Sequence, residues 1–358
     1  MKRARQVNMQ RKIEVAEIEE VLSTDRPFDS IIDVRSPSEF AEDHLPGSIN
    51  LPVLDDVERS EVGTLFKQID PFIARKKGAV LISHNIAKHI DTFIEKSKGW
   101  RPLIYCWRGG QRSTSMALVM HEIGWPVTLL RGGYKAYRKE IQNGLNQMIL
   151  NTEFIVITGP TGCGKTDLLA EIARKGQQVL DLEALACHRG SILGAEPEKN
   201  QPSQKLFETR LYDALRNVDQ TKPVFIESES SKIGDIHLPK QLFQSLIEAR
   251  AIAVDCERAK RAQYSVERYS HLTEALENTE SLIKQLRFRH GKRQIEEWVQ
   301  FIAKKQWTEL AESLLEHHYD PAYKHSQRRF QVEQLLELKS PGLLVDGSAL
   351  DLFISKHT

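Results

Sequence analysis

The chain has 358 residues, 40% of them apolar and 28% charged, with a formal net charge of +1, enough for two or three domains that each bury a core. Near-neutral charge excludes nucleic-acid binding by bulk attraction, so any such contact must come from local patches. No apolar run approaches the ~18 residues of a membrane span, no apolar segment follows the basic Met1–Gln6 start as in a secretory signal, and four scattered cysteines without a Cys-x-x-Cys pair argue for a reducing, cytoplasmic setting rather than structural zinc.

Residues 13–149 alternate short apolar runs with helical patterns, which predicts a parallel α/β sheet. Ile31–Val34 reads as a strand, followed by a helix start at Arg35-Ser-Pro-Ser-Glu-Phe40, where Ser36 or Ser38 can cap and Pro37 fits the first turn. His44–Pro52 gives a turn and a short strand, and residues 54–100 hold two or three helices. Ala79–Ser83 reads equally as a short strand or as part of a helix. Pro102–Tyr105 is a buried strand that runs into Cys106-Trp-Arg-Gly-Gly-Gln-Arg-Ser113, and a helical pattern begins behind it. Gly109 and Gly110 let that loop curl, which turns backbone N–H groups toward the sulfur. Those groups, the helix N-terminus and Arg112 all favour negative charge there. Cys106 is therefore the candidate nucleophile. Trp107, Arg108, Gly109, Gly110, Gln111, Arg112 and Ser113 form a cup for a tetrahedral anion beside it. Val127–Leu130 and Gly132-Gly-Tyr-Lys-Ala-Tyr137 close this half.

Asp33-Val-Arg35 with Glu39-Phe40, His44–Pro52, the cysteine loop and Gly132–Tyr137 together resemble the rhodanese domain, over about 125 residues. The resemblance implies a loop cysteine that carries sulfur or a like atom. One spacing departs from it. Sulfur-transferring loops have Cys-x4-Arg, whereas Cys106 and Arg112 form Cys-x5-Arg, as in dual-specificity phosphatases and arsenate reductases. A wider cup, able to hold a whole phosphate-like group, is expected.

A polar helical stretch, residues 141–152, links this domain (13–140) to the rest (153–358). Phe154–Thr158 is a strand that leads into Gly159-Pro-Thr-Gly-Cys-Gly-Lys-Thr166 and a helix, the full phosphate-binding loop pattern in its required context. Gly159, Gly162 and Gly164 let backbone N–H groups wrap a diphosphate, Lys165 neutralises it, and Thr166 can reach Mg²⁺. Cys163 reads as a small filler. Val179–Leu182, Pro223–Glu227 and Ala251–Asp255 are further strands. Glu227, with Glu229 as the alternative, is a candidate Mg²⁺ ligand, and His188-Arg-Gly-Ser191 a candidate ligand loop. Residues 257–335 read as helical and rich in charge, and Gly342–Asp346 as a last strand. Arg287, Arg289, Lys292 and Arg293, with Phe288 among them, form the densest basic patch. It suits RNA phosphates and a stacked base, or a solvated helix face balanced by Glu296 and Glu297.

The fold class expected is thus a rhodanese-like parallel sheet domain followed by a P-loop NTPase-like α/β domain with a helical C-terminal segment. The cysteine loop, Gly159–Thr166, His188–Ser191 and His318-Tyr-Asp-Pro321 in one chain resemble the tRNA 2-selenouridine synthase family. The resemblance implies replacement of sulfur by selenium in wobble 2-thiouridine of tRNA. It implies selenophosphate as donor, supplied by a separate selenophosphate synthetase, and an S-geranyl intermediate made from geranyl diphosphate. Cys106 would carry selenium as Cys–S–Se⁻ and release phosphate. No tightly bound cofactor is implied besides Mg²⁺, and no membrane partner. A phosphatase or arsenate-reductase-like enzyme and a nucleotide-switched binding module are the competing readings.

Overall fold

The computed structural model describes residues 12–23, 28–196, 199–344 and 347–357. The chain divides into two compact units, Met1–Gly144 and Leu145–Thr358. The division falls inside one helix, Gly133–Asn151.

Among the described residues, the first unit holds five strands: β1 (Glu14–Ala16), β2 (Ser30–Asp33), β3 (Ser48–Asn50), β4 (Pro102–Tyr105) and β5 (Thr128–Leu130). Their order is β1-β5-β4-β2-β3, and every pair is parallel. All four residues of β4 are buried, as a central strand covered on both faces requires. Ile32, Val34, Ile104, Met116 and Met120 form its core with Trp100 and Trp125. Because β2 and β4 run the same way, their outgoing loops lie together, and the Val34 N–H donates to the Tyr105 carbonyl at 3.0 Å. Ala79–Ser83 lies within a helix, Pro71–Asp91, whose N-cap Asp70 accepts from the Phe72 and Ile73 N–H groups. A cap and a proline in the first turn nucleate a helix that the local apolar run leaves undecided.

Motif residues of this unit are largely structural. Arg35 and Asp33 form a buried two-point ion pair, with Nη2 to Oδ2 at 2.6 Å. Arg35 also donates to the Asp43 carbonyl and lies 4.0 Å from the centre of the Tyr134 ring. The Tyr134 hydroxyl donates to Asp43 at 2.7 Å. Thus Asp33-Val-Arg35 and Gly132–Tyr137 are joined behind the cysteine loop.

The second unit contains β6 (Phe154–Thr158), β7 (Gln178–Leu180), β8 (Val224–Glu227), the β9–β10 hairpin (Lys232–Ile233, Ile236–His237), β11 (Arg250–Asp255), β12 (Gln331–Ser340) and β13 (Leu343–Leu344). The main sheet runs β13-β12-β11-β6-β8-β7, parallel except for β13. The phosphate-loop strand β6 is central, so its loop opens at the carboxyl ends of its neighbours, where α/β sheets bind ligands. One difference from the sequence reading is β12. Residues 331–335 belong to this ten-residue strand rather than to a helix. Val332, Leu335 and Leu336 are spaced as on a helix, but pairing with β11 buries Leu336 and Leu338 on one face and leaves Leu335 exposed. Of the expected last strand, Val345 and Asp346 lie outside the described residues. Between β11 and β12, helices enclose a separate core around Trp298, Ile283, Leu310 and Leu314.

Candidate active sites

In the first unit, Cys106 follows directly on β4 and is buried. Its sulfur accepts from the Gly110 N–H at 3.3 Å and from the Ser113 hydroxyl at 3.2 Å. Gln111 starts the following helix, Gln111–Ile123. Gly109 is left-handed, with φ of 67°. The loop rests on the Gly132-Gly133 turn, because the Tyr134 and Lys135 N–H groups donate to the carbonyls of Cys106 and Trp107 at 2.8 and 3.0 Å. A Cβ on Gly133 would collide with the Cys106 carbonyl oxygen and sit 2.7 Å from the Gly109 nitrogen. Trp107 packs on the Tyr134 ring, while Arg108 is exposed. Arg112 does not stand alone beside the cup. Its guanidinium meets Glu39 at 2.6 and 3.4 Å. Burial lifts the Glu39 carboxyl, but the Arg112 hydrogen bond and charge outweigh it and hold the group below its usual range.

In the second unit, Gly162 and Gly164 take φ of 84° and 72°. A Cβ on Gly162 would lie 2.9 Å from the Arg261 carbonyl oxygen, and one on Gly159 would lie 2.5 Å from Val254 Cγ2. These glycines therefore serve backbone shape and close packing together. Arg261 secures the loop from behind. It is buried, donates to the Thr161 and Cys256 carbonyls, and forms a two-point pair with Asp320 at 2.8 Å. Asp320 belongs to His318-Tyr-Asp-Pro321, so that motif supports the phosphate loop. Lys165 Nζ donates to the Gly159 carbonyl at 3.1 Å. Cys163 is fully buried, and burial pushes its thiol up to about 12, which fits a filler and not a nucleophile.

Glu183, Glu227 and Glu229 each bring a carboxylate oxygen within 4.8 Å of the others. Thr166 Oγ1 is 3.4 Å from both Glu183 and Glu227. Burial, reinforced by the neighbouring carboxylates, raises Glu227 well above the usual range and pushes Glu229 up to about 8. Burial also raises Glu183 despite the charge of Lys165. Glu227 Oε1 is buried and has no hydrogen-bond partner among the described residues. Hard oxygen donors, crowded together and short of a partner, suit a divalent cation such as Mg²⁺. Gly190, in the His188–Ser191 loop, lies over this cluster. A Cβ there would come 2.8 Å from a Glu229 oxygen.

A cleft of about 700 Å³ joins these parts. Lys165, Glu227, Gly190, Arg289, His318 and Arg329 all line it. From the basic patch, Phe288 and Arg289 thus reach the cleft itself. Arg287 and Lys292 line an adjoining hollow, again with Phe288, and Arg293 is exposed. Arg287 lies 5.1 Å from the centre of the Phe288 ring, and Lys292 is 3.6 Å from Glu296. Arg189 is already engaged, by Glu196 at 2.7 Å, by the Arg268 carbonyl and by the Tyr269 ring. His318 is hydrogen-bonded to His290 at 3.0 Å. Burial, then the His290 and Arg289 charges, pulls it down to about 4.

Comparison with known proteins agrees with the two folds described. The family model for the tRNA 2-selenouridine synthase AAA domain matches residues 152–340, and that for the rhodanese-like domain matches 14–140. The chain belongs to the tRNA 2-selenouridine synthase family. The relative from Nitrosomonas europaea is 38% identical over 67% of this chain and 63% of its own length. That from Aeromonas salmonicida is 37% identical over 67% and 65%, and that from Shewanella pealeana 33% over 73% and 70%. The matched part of this chain thus spans 63% of the Nitrosomonas europaea relative. Among the described residues, no helix is long and apolar enough to cross a membrane.

In this family member, sequence reasoning missed four site residues. Glu39 and Glu183 meet their partners across the fold, at separations of 73 and 17 residues. Arg261 and His290 were visible only as members of a charged helical segment. Glu183 carried the one usable signal, since it follows shortly after a strand, as Glu229 does.

Proposed function

We propose that this protein converts wobble 2-thiouridine in tRNA to 2-selenouridine in two half-reactions, one in each unit. The observation that carries the reading is the pair of glycine-bearing loops, one built around a thiol and one around a lysine with carboxylates beside it. Family membership supports it.

In the second unit, the phosphate loop and Lys165 hold the diphosphate of geranyl diphosphate. The thiocarbonyl sulfur attacks the first carbon of the geranyl chain. A C–S bond forms, the C–O bond breaks, and diphosphate leaves. Thr166, Glu183, Glu227 and Glu229 would hold Mg²⁺, which neutralises charge on the departing group. Arg289, and beside it Arg287, Lys292 and Arg293, supply tRNA phosphate contacts at the cleft mouth.

Alkylation turns a poor leaving group into a thiol. In the first unit, the cup around Cys106 binds selenophosphate. Selenium attacks C2 of the uridine, the C–Se bond forms, and geranyl thiol departs. Phosphorus must then be removed. Carrying selenium as Cys–S–Se⁻ with release of phosphate would need an acceptor for two electrons. A balanced route has Cys106 attack phosphorus: an S–P bond forms, the Se–P bond breaks, C2=Se remains, and water frees phosphate from sulfur. The Gly110 N–H and Ser113 hydroxyl stabilise the sulfur as the leaving thiolate. The Cys-x5-Arg spacing then has a purpose, since the cup must enclose a phosphoryl group.

The test is mass spectrometry of tRNA nucleosides after incubation of the protein with 2-thiouridine tRNA, geranyl diphosphate and selenophosphate. S-geranyl-2-thiouridine should rise first and 2-selenouridine follow. Unaltered 2-thiouridine, or selenouridine formed without geranyl diphosphate, would contradict the reading.

A further inference from the structure

A second hollow, of about 80 Å³, lies beside the diphosphate cradle. Leu193, Val266, Leu272, Trp307, Leu310 and Leu314 supply most of its wall. Three hydroxyl groups in the lining are turned onto backbone. Ser265 Oγ donates to the Arg261 carbonyl at 2.7 Å, Thr279 Oγ1 to the Leu272 carbonyl at 2.7 Å, and Thr273 Oγ1 to the Ser270 carbonyl at 2.6 Å. The surface left for a ligand is hydrocarbon. Thr161, Ser191, Ser265, Tyr269 and Tyr319 line both this hollow and the larger cleft, and Thr161 is part of the phosphate loop itself. A molecule anchored by its diphosphate can therefore reach the hollow without leaving the cleft.

We propose that this hollow receives the distal isoprene unit of the prenyl diphosphate and sets the chain length the site prefers. The proposal rests on the reading of the cleft as a geranyl diphosphate site and adds the residues that recognise the tail. Size and chemistry both point this way. A dry apolar cavity of ~150 Å³ accepts a benzene ring, so a hollow of about 80 Å³ takes the branched end of a chain and rejects a purine. Nor does its wall present the polar groups that read the edge of a base. The loop pattern alone is shared with nucleotide-binding proteins. The hollow is what distinguishes an apolar-tailed diphosphate from a nucleotide as its ligand.

The experiment is calorimetric titration of the intact protein, in Mg²⁺, with inorganic diphosphate and with dimethylallyl, geranyl and farnesyl diphosphates. Geranyl diphosphate should bind about tenfold or more tighter than dimethylallyl diphosphate, as expected for apolar groups gained in a fitted pocket. Farnesyl diphosphate should gain nothing further. Ala311→Phe and Val266→Phe fill the hollow from two helices and should erase the advantage of geranyl over dimethylallyl. Inorganic diphosphate affinity should stay unchanged, which shows that the cradle is intact. A geranyl advantage that survives in a variant with normal diphosphate affinity would overturn the assignment of the hollow and leave the geranyl reading standing. Prenyl diphosphates that bind the parent protein no tighter than inorganic diphosphate would overturn both.

Discussion

Both units place a glycine-bearing loop between a strand and a helix, yet they hold the loop and its charges differently. Around Cys106 the loop is propped by backbone, the Gly132-Gly133 turn, and its cation Arg112 is matched by Glu39. Around Lys165 the loop is propped by a buried ion pair, Arg261 with Asp320, and among the described residues its facing carboxylates form no salt bridge. The first arrangement pairs its cation and holds the Cys106 sulfur with neutral donors. The second gathers carboxylates around the Thr166 hydroxyl. One backbone device is thus surrounded by different side chains in the two units.

The largest expected effect breaks the backbone prop. Gly133→Ala puts a methyl group into the Cys106 carbonyl and should abolish selenium transfer while leaving diphosphate affinity in the second unit unchanged. Selenium transfer at the parent rate would show that the prop is dispensable. Next is the ionic prop. Asp320→Ala leaves the buried Arg261 without its two-point partner, and should cost the second unit about 3–5 kcal/mol in denaturant unfolding. A loss below ~1 kcal/mol, the range of surface pairs, would show that the Arg261–Asp320 pair does not prop the loop.

A smaller effect is expected at Glu39, whose charge-assisted contacts with Arg112 are worth roughly 1.5–3 kcal/mol. Glu39→Gln should lower stability at neutral pH by that order. Since the folded carboxyl is held below its usual range, its contribution is present above the ordinary carboxylate pKa and lost as pH falls through the folded value. The gap between parent and variant should therefore close in acid; a constant gap would assign the effect to packing. Smallest is His318. Its pKa falls from 6.5 to about 4, so the folded state resists a proton that the unfolded state accepts, and stability drops as pH falls across that window. His318→Gln should flatten that drop in pH-dependent melting, with an unaltered slope counting against the buried pair.

Much of this was legible in sequence where backbone geometry dictates residue type. Gly162 and Gly164 announce their loop because left-handed backbone and close approach admit little else, and Cys106 with Gly109 does the same. Strands β4 and β6 were legible as short apolar runs entering those loops. What sequence hid depends on contacts across the fold. Glu39 reads as one residue of a helix start until Arg112 is seen against it, Arg261 as one charge on a basic helix until its burial is known, and β12 as a helix until β11 lies beside it. Local pattern fixes a residue's face, whereas its partner is set by tertiary packing.

The central claim, two cups for two half-reactions, is tested most directly by crossing variants with substrates. Cys106→Ala is given 2-thiouridine tRNA with geranyl diphosphate, then selenophosphate; Lys165→Ala is given tRNA already carrying the S-geranyl group, with selenophosphate. The account predicts that Cys106→Ala geranylates normally but yields no 2-selenouridine, and that Lys165→Ala completes selenation of the pre-geranylated tRNA at the parent rate. Selenouridine formed by Cys106→Ala, or a failure of Lys165→Ala on pre-geranylated tRNA, would contradict it.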